Sequence, residues 1–90
     1  MTSPVYRRAV DLMEAEIGNE LVALDADAGH CFGFNEVATS VWRSLATPKS
    51  LDQLRDELLT EYDVSREQCT SELAELLGDM VAKGLLETTV

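Results

Sequence analysis

The apolar spacing of the chain changes once, at Asn35. Upstream, apolar residues recur at every second position in short runs separated by turn signals; downstream they recur every three to four positions. Strands followed by helices in a 90-residue chain leave room for one core, and the arrangement that buries it is a sheet with helices packed against it. The change falls in Gly29-His30-Cys31-Phe32-Gly33-Phe34-Asn35. Phe32 and Phe34 are two apart and share one face of a strand, while Cys31 and Gly33 take the other. Asn35 is suited to cap the helix that follows, its side-chain oxygen accepting a first-turn N–H.

Taken in order, residues 1–8 read as an arm. Val10 to Ile17 alternates loosely and predicts a first strand, with Gly18-Asn19 as a hairpin turn. Leu21-Val22-Ala23-Leu24 is a second strand, Asp25 to Gly29 a second turn, and Cys31 to Phe34 the third strand, completing an antiparallel meander. Val37, Ala38, Val41, Trp42 and Leu45 line one face of a helix over Glu36–Leu45, which Thr47-Pro48-Lys49 breaks. Ser50 with Gln53, and Ser65 with Gln68, have the spacing of capping boxes. They open a second helix running to about Glu61 and a third running to about Lys83, where Gly84 stops it. On the third helix Cys69, Leu73, Leu76, Leu77, Met80 and Val81 form a wide apolar face, flanked by Glu72, Asp79 and Lys83 on one side and by Ala74, Gly78 and Ala82 on the other. The fold class is α+β: one winged-helix-type domain over residues 1–90, a three-stranded antiparallel sheet followed by three helices.

Charge narrows the function classes. With 17 acidic and seven basic residues the net charge is −10, and the basic residues do not cluster beyond Arg7-Arg8. Nucleic-acid affinity comes largely from phosphate neutralisation by Lys and Arg, so DNA binding by the third helix, which carries Glu67, Glu72, Glu75 and Asp79, is disfavoured. No segment approaches the ~20 apolar residues of a membrane span, and the first residues lack a signal-peptide plan, which makes the cytoplasm the expected compartment. Cys31 and Cys69 have no metal-type spacing, and both read as free and buried.

The candidate chemistries each meet an obstacle. His30, the only histidine, has no evident partner for acid–base work. It neighbours Cys31 in a strand, so the two side chains point to opposite faces and cannot form a nucleophile–base pair. Asp25 and Glu36 stand where a twelve-residue calcium loop has its first and last ligands, but the required sixth-position glycine is His30. Lys49-Ser50-Leu51 lacks the aspartate of the acyl-carrier attachment motif, and three leading strands do not suit that all-helical fold. No cofactor or metal is expected. What remains is the outer strand, whose free N–H and C=O groups need water, cover from the N-terminal arm, or a partner strand. A strand edge beside an amphipathic helix forms a groove that an extended peptide can enter by β-augmentation.

From about Arg8 to Glu87 the chain resembles the PqqD-like proteins, known as RiPP recognition elements. The resemblance is carried by Leu21 to Asp25, by Gly29 to Asn35 with Phe34 where the family usually has Leu, by Val41-Trp42, by Leu51 to Val64, and by Glu72-Leu73, Leu76-Leu77, Met80 and Gly84-Leu85-Leu86, in that order. It implies a non-catalytic domain that binds the leader segment of a ribosomally made precursor peptide as an added strand on the third strand. It also implies delivery to a leader peptidase, cyclase or other modifying enzyme. By position, His30, Cys31, Phe32, Gly33 and Phe34 would supply the edge, and Glu72, Leu76, Asp79, Met80 and Lys83 the helical wall. Cys31 and Cys69, if both approach the groove, would be small apolar lining. The Leu-Leu-Pro-Glu-Gly run of the cofactor-pathway members is replaced by Ala23-Leu24-Asp25-Ala26-Asp27. With its aromatic third strand and Trp42, the chain more closely resembles the stand-alone leader-binding proteins of lasso-peptide clusters. The alternatives are a chaperone of another peptide-derived cofactor or radical-enzyme pathway, and an acidic winged-helix regulator acting through protein contacts. An open edge also permits two copies to pair by strand exchange.

Overall fold

Helices of a computed structural model pack on two small antiparallel sheets; the structure describes residues 4–89. The elements in chain order are β1 (Val5–Arg8), β2 (Met13–Ile17), β3 (Glu20–Asp25), β4 (His30–Phe34), α1 (Glu36–Ser44), β5 (Lys49–Ser50), α2 (Leu51–Glu61), α3 (Arg66–Ala82) and β6 (Leu86–Thr89). The expected meander is the sheet β2-β3-β4, and the three helices follow it. Cross-strand partners include Leu21 with Phe34 and Ala23 with Phe32. This register puts Leu21, Ala23 and Phe34 together on the core face, where all three are buried.

Two sequence expectations need correction, and one strand is new. Residues 1–8 are not simply an arm: Val5–Arg8 is the middle strand of a second sheet, ordered β5-β1-β6, while residues 1–3 lie outside the described residues. Its second inward residue is an arginine, which hides the strand from a hydrophobicity reading. The Arg8 guanidinium lies 4.3 Å from the Trp42 ring centre and donates to the Trp42 carbonyl. The first strand of the meander begins at Met13 rather than Val10; Val10 and Leu12 pack against the core from the preceding loop. The segment after Leu85 is also a strand, β6, paired with β1 along Leu86–Thr89.

The caps act as the sequence suggests, with one exception. Asn35 accepts from the Ala38 N–H at 2.9 Å. Ser50 and Gln53 form a full reciprocal box. Ser65 accepts from the Gln68 N–H, but the Gln68 amide turns to Glu72 instead of back to the cap, so the third helix has only half a box. At its other end Gly84 takes φ +78°. The Leu85 and Gly84 N–H groups donate to the Met80 and Val81 carbonyls, the paired bonds of a Schellman stop. That stop folds Leu85 and Leu86 back into the core.

The core is centred on Trp42, which is fully buried and stacked on Phe34 with ring centres 5.7 Å apart. Around it pack Leu21, Val41, Leu45, Leu54, Leu77 and Leu85. Among the described residues no buried side-chain nitrogen or oxygen lacks a hydrogen-bond partner.

Candidate functional site

The site starts from the way β4 ends. Asp25 organises the turn before it, its carboxylate accepting from the Ala28 N–H and its carbonyl from the Gly29 N–H. Gly29 takes φ +71°, a conformation strained for other residues. Five residues later Asn35 caps α1 and the strand must stop. Along this short run one side of β4 bonds to β3 and the other has no strand partner among the described residues. Opposite the free side lie the last turns of α3.

Between β4 and α3 runs an open groove of about 830 Å³. Nine of the residues singled out in the sequence line it: His30, Cys31, Phe32, Gly33 and Phe34 from the strand, and Leu76, Asp79, Met80 and Lys83 from the helix. Phe34 and Met80 are buried, Phe32 and Leu76 half-buried, and His30, Asp79 and Lys83 exposed. The groove therefore has an apolar floor and a polar rim. His30 meets the Phe32 ring edge-on, with centres 6.1 Å apart. Cys31, expected to be buried, is exposed: its strand position faces away from the core. Cys69 is buried as expected but does not reach the groove.

Glu72 is the one candidate that falls elsewhere. It sits one turn earlier on α3 and lines a separate small cavity of about 120 Å³, with Val37, Leu58, Tyr62, Cys69 and Leu73 among its neighbours. There α3 faces the start of α1 and the end of α2 instead of β4. Leu76 lines both cavities. Because Val37 belongs to the first turn of α1, the Leu76 end of the groove is the Phe34 end of β4. Lys83, seven residues or about 10 Å further along the helix, belongs to the His30 end.

Gly29, Asn35, Ala38, Ala82 and Leu85, none of them a site candidate from the sequence, also line the groove. Leu85 carried a usable signal, since a Gly-Leu pair after a helix is the mark of a chain folding back under it. Ala82, on the flank opposite Asp79 and Lys83 in the sequence analysis, also lines the groove at the last turn of α3. A second cleft, about 420 Å³ between α1 and α2, is polar where Lys49, Ser44 and Glu57 meet, and these satisfy one another: Lys49 donates to Ser44 and pairs with Glu57. Among the described residues no three His, Cys, Asp or Glu side chains gather as a metal site, and no helix is long and apolar enough to cross a membrane. What the groove offers chemically is a row of free backbone donors and acceptors, with an apolar floor for every second side chain of an extended chain laid along it.

Comparison with known proteins bears on this groove. The family model for coenzyme PQQ synthesis protein D (PqqD) matches residues 20–86, the stretch from β3 to the start of β6. No curated protein matches the chain significantly. Among solved structures, the chain is similar to TbiB1 in complex with the TbiA(beta) leader peptide. The TM-score is 0.79 at 28 % identity, covering 90 % of this chain and 94 % of that one. It also shares its fold with a lasso peptide synthetase B1 complexed with the leader peptide, with TM-score 0.73 at 24 % identity, covering 91 % and 96 %.

Proposed function

The chain belongs to the PqqD family, and from that membership we propose that it binds the leader segment of a ribosomally made precursor peptide in a lasso-peptide pathway. The leader lies antiparallel to β4 as a fourth strand of the β2-β3-β4 sheet. It enters at the Phe34–Leu76 end and leaves at the His30–Lys83 end. His30 to Phe34 give the backbone edge; Leu76 and Met80 give floor, and Asp79 and Lys83 give rim. Glu72 contacts only the segment of the leader that precedes the strand, because it lies beyond the Leu76 end.

The observation that carries this reading is the unpaired edge of β4 facing α3 across an apolar-floored groove. It is supported by the likeness to TbiB1, which was solved with a leader peptide. The role is non-catalytic: binding aligns the precursor for a leader peptidase and a cyclase, and needs no cofactor. The work is done in the cytoplasm by one domain spanning the chain, without nucleic acid. In the absence of leader, the same edge allows two copies to pair by strand exchange.

The test is a titration of ¹⁵N-labelled protein with the synthetic leader of the short precursor gene nearest its own, with the TbiA(beta) leader as a second peptide. Amide shifts confined to β4 and the second half of α3, at micromolar affinity or better, are the expected result. N-methylation of alternate leader residues should weaken binding in one parity and spare it in the other, because only every second peptide residue points its amide at β4. Shifts centred on the cleft between α1 and α2, or none with either peptide, would overturn the assignment.

A further inference from the structure

The charges of the groove between β4 and α3 differ from those of the rest of the chain. The chain carries 17 acidic and seven basic residues, yet the groove lining holds one of each, Asp79 and Lys83. Asp79 lies in the last turn of α3 and Lys83 at its C-cap, and both are exposed. They stand four apart with the acid first, a spacing at which helical side chains commonly pair. Among the described residues, however, neither side chain makes an ion pair, with the other or with a third group. Five of the seven basic residues, Arg8, Arg43 and Arg55 among them, are paired with acids. The two that are not are Lys83 and Arg66, and Arg66 opens α3 at its far end.

Spacing turns these two charges into a reading frame. Four residues of helix rise about 6 Å, and two residues of an extended chain cover about 6.6 Å. Residues two apart in a strand also point to the same face. A leader strand on β4 therefore shows α3 every second side chain, and two successive ones can stand beside Asp79 and Lys83. The helix runs from Leu76 at the Phe34 end of β4 to Lys83 at the His30 end. A leader antiparallel to β4 runs the same way, so it meets Asp79 first. We propose that Asp79 and Lys83 read a charge motif in the leader: a Lys or Arg followed two residues later by an Asp or Glu. The inference deepens the leader-binding reading and rests on it. The reverse order sets acid against acid and base against base, which rejects the wrong peptide as well as selecting the right one.

A helix-end role accounts for Lys83 alone, since a cation near the last carbonyls is favoured there. It does not account for Asp79. A carboxylate in the last turn faces the negative end of the helix dipole, and this one has no protein cation beside it to offset that. A basic leader residue at Asp79 supplies the missing partner. The acidic residue that follows is selected just as firmly: on a chain of net charge −10 an acidic leader residue is best tolerated beside Lys83, whose charge no protein acid takes up. Both side chains are exposed, so each pair changes affinity by about two- to fivefold. The apolar floor and the strand edge supply most of the binding, and the two charges set its register and order.

The experiment uses the full chain and fluorescent versions of the synthetic leader of the short precursor gene nearest its own. A Lys-Ala-Glu triplet and its reverse, Glu-Ala-Lys, are stepped along the leader one residue at a time. The two orders are compared at each step, so that the loss of the residues they replace cancels. At one register the Lys-first peptide should bind about tenfold more tightly at low salt, and the ratio should fall below about threefold at 1 M NaCl. Moving the triplet by one residue turns both charges to the other face and should abolish the difference. Asp79→Lys/Lys83→Asp exchanges the charges at constant net charge and should reverse the preference with an unchanged thermal midpoint. Asp79→Asn and Lys83→Gln should each remove about half of the discrimination on a logarithmic scale, whether or not the double variant folds. Arg66→Gln should change nothing. Equal affinity for the two orders at every register, with amide shifts still at β4 and α3, would overturn the charge reading and leave leader binding standing. A preference that the exchanged variant retains would overturn it too, because other residues would then be the readers. If no leader binds at all, the leader-binding reading fails and the charge reading with it.

Discussion

Trp42 shows how much of the fold converges on one side chain. Its ring stacks on Phe34, lies under the Arg8 guanidinium and donates from its indole nitrogen to Glu14. It thus joins β4, β1 and β2 to α1. Trp42→Phe keeps the stack and removes the bond to Glu14. Because that carboxylate is about one-third exposed, the cost should be about 1–2 kcal/mol, toward the low end for hydrogen bonds to charged groups. Trp42→Ala should cost about 3–5 kcal/mol through the cavity it leaves. Urea unfolding distinguishes the two. Asn35→Ala should cost about 1 kcal/mol by the same measurement, as the α1 N-cap is lost, and Asn35→Asp should be nearly neutral. The residues of the groove were legible at this scale because strand parity separates Phe32 and Phe34 from Cys31 and Gly33. The exposure of Cys31 was not, since a small apolar residue in a strand has no mark that says whether a helix covers its face.

At the scale of elements, the least legible part is the β5-β1-β6 sheet. Its strands are two to four residues long and come from both ends of the chain and from the connection between α1 and α2. No local pattern announces a partner some 80 residues away, and the inward positions of β1, Tyr6 and Arg8, do not read as a core face. Yet β1 is the central strand, so β5 and β6 both lose their partner if it is removed. Deleting residues 1–8 should destabilise the protein by more than about 2 kcal/mol and lower the melting temperature by roughly 8 °C or more, at about 4–8 °C per kcal/mol for a domain of this size. Calorimetry would show an unchanged midpoint if the segment were an arm. The helices were legible because each carries its own punctuation: Asn35, Ser50 and Ser65 at the starts, Gly84 at the last stop.

For the whole molecule, the net charge of −10 sets how partners arrive rather than how they are held. A leader or enzyme surface with an excess of Lys and Arg should associate about tenfold more slowly when ionic strength rises tenfold, with dissociation little changed. Stopped-flow measurement at two salt concentrations checks this. An association rate indifferent to salt would show that the acidic surface does not steer these partners.

The sequence by itself determined the meander, the three helices, their caps, and the strand that ends in the groove. Each depends on residues close together in the chain, through period-two or period-3.6 spacing and short capping motifs. Tertiary structure alone decided that β1 and β6 pair and that Glu72 lies outside the groove. It also decided that Glu14 and Glu16 turn inward while Met13 and Ile17 turn out. These outcomes depend on which distant groups a side chain meets. Glutamates can face inward at β2 only because Trp42, Arg8 and Arg43 wait there to pair with them, and no spacing rule along the strand contains that information.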